Sequence, residues 1–174
     1  DAITINENLL PEDPLRYQKE LNKQVDRKFR ELCLEAIRNN VDFAFECNLR
    51  DNQIKYLSLF DEAGYKINLV YLWLYDVELS FERVEYRVAQ GGHSVGKISI
   101  ESNFYEGLRN LNDSFQDWDN LFIIDNSKDI HKNNIENLPL VFYIVNGDIK
   151  YYNSNIDFKL KKKSFPKIAN KLNK

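Results

Sequence analysis

Two arginines stand beside a pair of glycines in the middle of this chain. Arg83 and Arg87 lie four residues apart, so both project from one face of a helix, and Gly91-Gly92 follows them. Two guanidinium groups that converge beside a glycine loop can bind phosphate oxygens through paired hydrogen bonds. The alternative is an exposed helix whose arginines form salt bridges with acidic neighbours. The spacing alone leaves both interpretations open.

A second polar cluster runs from Glu46 to Arg50. Residues 41–46 are short and apolar and predict a buried strand that ends in the carboxylate of Glu46, with Asn48 and Arg50 on the following turn. Open α/β sheets bind their ligands outside the carboxyl ends of their strands, so these side chains suit a polar or phosphorylated substrate. The alternative is a strand end followed by a turn that caps a helix.

Residues 91–98 have the spacing G-x-x-x-x-G-K of a phosphate-binding P-loop. A P-loop requires a buried strand before it and a serine or threonine directly after its lysine, where the hydroxyl binds magnesium. Here the preceding residues 81–89 are charged and helically spaced, and Ile98 follows Lys97, with Ser99 one residue later. We therefore do not interpret this glycine loop as a P-loop.

The elements that must position these residues alternate between helices and apolar strands. Asp13 and Pro14 predict the cap and the first turn of a helix that ends at Asn39-Asn40. Periodicity and turn residues predict the other elements, which are a helix at 52–63 ended by Gly64, a strand at 66–74 buried on both faces, helices at 77–89 and 99–112, and a buried strand at 120–125. This alternation predicts an α/β fold with a parallel sheet.

The end of the chain has a different pattern. Two apolar runs, 141–145 and 149–152, flank Asn146-Gly147-Asp148, which predicts a tight hairpin in a small antiparallel unit. We expect residues 1–135 to form the core, and residues 136–174 to form part of the same domain or a small appendage.

The last residues of the chain are strongly basic. Residues 159–174 hold seven lysines and no acid. The favoured interpretation is a solvated terminal helix with Phe165, Ile168 and Leu172 on its inner face, and the alternative is contact with nucleic acid or an acidic partner. The remainder of the chain is acidic, which argues against a nucleic-acid-binding protein.

Composition narrows the class of protein. The 174 residues are 43% hydrophobic with a net charge of −3, which excludes a disordered chain, and no apolar run or leader pattern predicts a membrane helix or signal peptide. Cys33 and Cys47 have no C-x-x-C spacing and suit a reduced, cytoplasmic interior. Two cysteines and two histidines that lie far apart argue against a zinc site. The chain lacks Met and opens at Asp1, which we interpret as a missing beginning.

The run Arg-Val-x-x-Arg-Val-x-x-Gly-Gly-His at residues 83–93 is the most specific motif of the chain. The segments that accompany it, in order along the chain, are Phe-Glu-Cys-Asn-Leu-Arg at 45–50, Ala-Gly-Tyr-Lys-Ile at 63–67, Val-Tyr-Leu-Trp-Leu at 70–74, Leu-x-Asn-Leu at 108–111 and Ile-Asp-Asn-Ser at 124–127. Over about residues 1–127 this order resembles the zeta-toxin-like P-loop kinases, in particular the branch described as predicted ABC-type ATPases.

The resemblance implies a fold and an activity. The fold is a nucleoside-monophosphate-kinase-like parallel sheet with flanking helices, to which the C-terminal β-hairpin is added. Zeta toxins bind ATP and Mg²⁺ through a Walker A loop, phosphorylate a sugar hydroxyl of UDP-N-acetylglucosamine, and are restrained by an antitoxin protein. We therefore expect a bacterial kinase for a small hydroxyl-bearing acceptor, for which a UDP-sugar is the candidate. The alternative is a non-catalytic pseudokinase or a phosphate-binding interaction module.

The resemblance also assigns roles to residues. Asp1 corresponds to the carboxylate that orients or deprotonates the acceptor hydroxyl, and Glu7 is a weaker substitute. Arg83 and Arg87 would stabilise the transferring phosphoryl group or the nucleotide phosphates. The expected binding residues are, for the substrate loop, Glu46, Asn48 and Arg50, and, for a lid-like loop, Gly91, Gly92 and His93.

The chain departs from the family pattern at several positions. We expect the Walker A loop to precede Asp1, so this chain alone should not bind ATP productively. Asn48 stands where the family usually has threonine, Gly96 stands where it has proline, and Glu-Ser-Asn at 101–103 replaces an arginine-rich stretch.

Overall fold

The computed structural model describes residues 13–49, 54–127 and 138–173, and the chain divides into two compact units, Asp1–Phe45 and Glu46–Lys174. In the first unit, helix α1 spans Pro14–Asn39. The side chain of Asp13 accepts hydrogen bonds from the backbone N–H of Leu15 and Arg16, both at 3.1 Å, and Asn40 ends the helix in the left-handed conformation with φ 51°. The predicted helix and both of its caps are confirmed.

The predicted strand at residues 41–46 is wrong. The backbone of residues 41–49 forms neither helix nor strand, and Val41 and Phe45 are exposed. Phe43 and Phe45 pack edge-on against Phe29, with ring centroids 5.9 and 5.0 Å away. No strand among the described residues pairs with this segment, and an apolar run without a partner strand has no ladder that would make it part of a sheet.

The second unit is built on one mixed sheet of four strands in the order β1-β2-β3-β4. The strands are β1, Asn68–Trp73; β2, Asn120–Asp125; β3, Leu140–Val145; and β4, Asp148–Tyr152. β1 and β2 are parallel, whereas β3 is antiparallel to both β2 and β4. The α/β class, the parallel pair and the hairpin are confirmed. The sheet as a whole is mixed rather than parallel, because the hairpin extends the same sheet through its pairing with β2.

β1 is not buried on both faces, contrary to expectation. Trp73 is buried and Leu69 and Tyr71 pack against the core, but Val70 and Leu72 are 57% and 54% exposed. In the described sheet β1 is an edge strand, so its continuous apolar sequence does not correspond to a strand covered on both sides.

Six helices and one 3₁₀ segment are described along the chain. Those of the second unit are α2, Leu57–Glu62; α3, Val77–Ala89; α4, Lys97–Ser114; α5, Phe158–Ser164; α6, Pro166–Ala169; and the 3₁₀ segment, Asn170–Asn173. α3 has the predicted bounds, and α4 begins two residues before the predicted start. Gly64, with φ 81°, follows α2 as expected, while residues 52 and 53 of the predicted helix lie outside the described residues.

The C-terminal helices complete the core of the second unit. Phe165 and Ile168 are fully buried and Leu172 packs partly buried against the same cluster, so the predicted inner face is confirmed. The single terminal helix is not, because the segment is divided into α5, α6 and the 3₁₀ segment. Lys161 is also buried: its Nζ donates to the carbonyl of Asn153 at 2.5 Å and lies 5.3 Å from the centroid of the Tyr152 ring. Burial lowers the pKa of Lys161. No helix in the described part of the chain has the length and apolar character needed to cross a bilayer.

Candidate functional site

The turns that follow β1 and β2 are tied together at the carboxyl edge of the sheet. The N–H of Asn126 donates to the carbonyl of Trp73 at 2.8 Å, and the N–H of Tyr75 donates to the hydroxyl of Ser127 at 3.1 Å. α3 starts directly after this turn, where the carboxylate of Asp76 accepts from the N–H of Glu78 at 3.1 Å. Parallel pairing therefore places the start of α3 where α/β sheets bind ligands.

Arg83 joins α3 to this edge. Its Nη2 donates to the backbone carbonyl of Asn126 and lies 3.5 Å from the Oδ1 of the same residue. The side chain is half-buried, and this burial lowers the pKa of Arg83, an effect that the nearby carboxylate of Asp125 opposes. Arg83 thus holds the middle of α3 against the end of β2, 43 residues further along the chain.

Arg87 lies one helical turn further on and is exposed. The N–H of Gly92 donates to the carbonyl of Arg87 at 2.9 Å, and Nη2 of Arg87 lies 3.5 Å from the carbonyl of His93. A Cβ on Gly92 would come within 2.6 Å of the Arg87 Cγ and 2.9 Å of its carbonyl oxygen, so this close approach requires glycine. The structure brings Arg87, Gly92 and His93 together, with the guanidinium open to solvent.

The glycine loop is not a P-loop, as the sequence analysis predicted. It leads from α3 into α4, so a helix precedes it where a P-loop has a strand. Gly96 is the cap of α4, and Lys97, the first residue of that helix, places its Nζ 5.9 Å from the centroid of the Phe81 ring. Lys97 therefore contacts α3 instead of pointing from a strand-to-helix turn toward a phosphate.

The substrate loop suggested by sequence is held against α4. The amide of Asn110 donates to the carbonyl of Leu49 at 2.8 Å, and Leu49 is buried with φ 52°. Glu46 and Asn48 are exposed on this loop. Among the described residues, neither Glu46 nor Asn48 forms a hydrogen bond or ion pair with Arg83 or Arg87. Asp1, Glu7 and Arg50 lie outside the described residues.

Three residues of this region were missed as candidates. Asn126 receives Arg83, and its position directly after a strand that ends in Asp125 was an available signal. Asn110 is a buried polar residue on the apolar face of α4, and its side chain fixes the loop at Leu49. Tyr71 of β1 is largely buried, which raises the pKa of its phenol above the ordinary range.

The described residues differ in how well they fit a nucleotide and a metal ion. Arg87, exposed beside a backbone loop, fits an anionic phosphate, because a guanidinium offers several donors in one plane. Within residues 13–49, 54–127 and 138–173 there is no group of three histidine, cysteine, aspartate or glutamate side chains that could bind a metal ion. These described residues therefore provide no set of protein ligands for Mg²⁺.

Comparison with known proteins gives one result. The family model described as zeta toxin matches residues 6–156. No curated protein and no solved structure matches the chain. The matched range includes every predicted site residue except Asp1.

Proposed function

Because the chain belongs to the zeta toxin family, which implies a kinase-like phosphotransferase, we propose that it transfers the γ-phosphoryl group of ATP to a hydroxyl of a small acceptor. The acceptor we propose is a UDP-sugar. The observation that carries this proposal in the structure is Arg87, an exposed guanidinium held beside the Gly91-Gly92 loop on a helix anchored at the carboxyl edge of the sheet.

The two arginines have different parts in this proposal. Arg87 binds the nucleotide phosphates or the transferring phosphoryl group, where its fixed positive charge offsets the charge of the transition state. Arg83 is a positioning residue, because its guanidinium is occupied by Asn126 and keeps α3 in place. The loop of Gly91, Gly92 and His93 closes over the phosphates next to Arg87.

The acceptor side of the reaction is assigned to the other predicted residues. Glu46, Asn48 and Arg50 bind the acceptor, and Asp1 accepts the proton of its hydroxyl. The hydroxyl oxygen then forms a bond to the γ-phosphorus, the bond from this phosphorus to the β,γ-bridging oxygen breaks, and ADP leaves. ATP supplies the phosphoryl group, and Mg²⁺ bound to its phosphates would neutralise part of their charge. The partner that restrains the enzyme is proposed to be an antitoxin protein.

The 174 residues contain no Walker A sequence, since the G-x-x-x-x-G-K run at 91–97 is followed by Ile98. The test therefore uses the longest natural form of the protein, with γ-labelled ATP, Mg²⁺ and a panel of UDP-sugars, and with uridine and the free sugars as controls. We expect one UDP-sugar to stimulate transfer of label, and mass spectrometry to find the phosphate on its sugar. An intact fold without ATP binding or transfer would contradict the proposal and favour the non-catalytic module.

A further inference from the structure

A pocket of about 390 Å³ lies between α4 and the C-terminal helices α5 and α6. Tyr75 and Asp76, in the turn before α3, and Val77, the first residue of α3, also line it. None of the described residues predicted for the kinase site lines it. Its volume falls in the range of roughly 300–1,000 Å³ that small-molecule sites occupy.

The walls of the pocket are mainly aromatic and aliphatic. They are formed by Tyr75, Phe104, Tyr105, Leu108 and Pro166. Phe104 and Tyr105 meet edge to face, with ring centroids 5.1 Å apart, and form one corner of the wall. Such walls favour a flat apolar body, because aromatic rings pack against one another through their faces and edges.

The rim of the pocket has an excess of positive charge. Among its lining residues, Asp113 is paired with Lys167 at 2.7 Å, and the carboxylate of Asp76 accepts from the start of α3. Arg109 and Lys163 line the same rim, and neither has an acidic partner within the part of the chain that the structure describes. The rim is therefore complementary to an anion.

One buried polar residue lines the pocket. Asn112 is 7% exposed, and its Nδ2 donates to the carbonyls of Leu108 at 2.9 Å and Ser164 at 2.7 Å. Its Oδ1 has no hydrogen-bond partner among the described residues and is inaccessible to solvent, so it is not available to a ligand in the pocket. Asn112 therefore joins α4 to the end of α5, two of the helices that line the pocket.

We propose that this pocket binds a small aromatic anion. The ring lies against Tyr105 and Leu108, and the anionic group binds Arg109 and Lys163 at the rim. The residues of this pocket differ from those proposed above for phosphoryl transfer.

The test is a titration of the 174-residue chain, labelled with ¹⁵N, with phenyl phosphate as the probe. We expect saturable shifts of the amide resonances of residues 104–113 in α4 and 163–164 in α5, the segments that line the pocket, and about tenfold weaker binding in the double variant Arg109→Ala/Lys163→Ala. Lys162→Ala is the matched control, since Lys162 is an exposed neighbour on the same helix that does not line the pocket. This control should leave the affinity of the pocket unchanged.

Two further probes separate the contributions of ring and charge. Inorganic phosphate tests the anion alone and benzyl alcohol tests the ring alone, and both should bind more weakly than phenyl phosphate. The proposal is overturned if no saturable shift appears at α4 and α5, if Lys162→Ala weakens binding as much as the double variant, or if inorganic phosphate binds as tightly as phenyl phosphate.

Discussion

Arg83 and Arg87 lie one turn apart on α3, and their guanidinium groups have different surroundings. At Arg83 the guanidinium is half-buried and donates to the loop after β2, whereas at Arg87 it is exposed beside the glycine loop. The guanidinium of Arg83 donates to groups of the protein itself. The guanidinium of Arg87 is exposed, so most of its N–H donors are available to a ligand. The two arginines share a residue type and a helix face, so the roles proposed for them rest on the different environments of their side chains.

Among substitutions around Arg87, we expect Gly92→Ala to lower the free energy of unfolding most. Its Cβ would overlap the Arg87 Cγ at 2.6 Å and approach a backbone oxygen at 2.9 Å, so the loop has to move away from Arg87. We expect a loss of about 1–3 kcal/mol in the free energy of unfolding, measured by urea denaturation, with lower phosphoryl transfer. Gly96→Ala is the control, because no atom lies within 4 Å of its added Cβ and its φ is −65°. Equal stability of the two variants would show that the close approach at Gly92 is not required.

Arg83→Ala tests the contact between α3 and the turn after β2. Loss of the charged donor leaves the carbonyl of Asn126 without this hydrogen bond, and we expect unfolding to become easier by about 1–2 kcal/mol. Arg87→Ala serves as the comparison, with an expected change within about 0.5 kcal/mol because the side chain is exposed. Equal losses from the two substitutions would remove the distinction between the arginines.

Tyr71 extends the contrast between buried and exposed groups to β1, with a smaller effect. Burial raises the pKa of this phenol, so the folded chain holds its proton at pH values where the unfolded chain releases it. The resulting stability is complete below pH about 10 and is lost as the pH rises further. We expect the Tm of Tyr71→Phe to fall less steeply between pH 9 and pH 11 than the Tm of the unmodified chain, because the variant lacks the one phenol whose proton the folded state retains. Parallel curves would contradict this account.

Local signals in the sequence were sufficient for much of the fold. The Asp13 and Asn40 caps, the bounds of α3 and the turn at Asn146-Gly147 were predictable because the residue types that specify them lie within the elements themselves. The apolar pattern at residues 41–46 predicted a strand wrongly, because an apolar run does not determine whether a partner strand is present.

The candidate site was predictable in composition but not in arrangement. The spacing of Arg83 and Arg87 placed both on one helix face, and the glycines that follow indicated a close loop. The contact that distinguishes the two arginines depends on Asn126, which lies 43 residues beyond Arg83. The pocket beside Asn112 likewise depends on the packing of α5 and α6 on α4, which no local pattern specifies.

The most direct test of the account is the rate of phosphoryl transfer from ATP by the longest natural form carrying Arg87→Ala. If Arg87 binds the nucleotide phosphates or the transferring group, kcat/KM should fall by about a hundredfold or more, while Tm changes little. An unchanged rate in a folded variant would contradict the central claim and show that Arg87 is only an exposed side chain of α3.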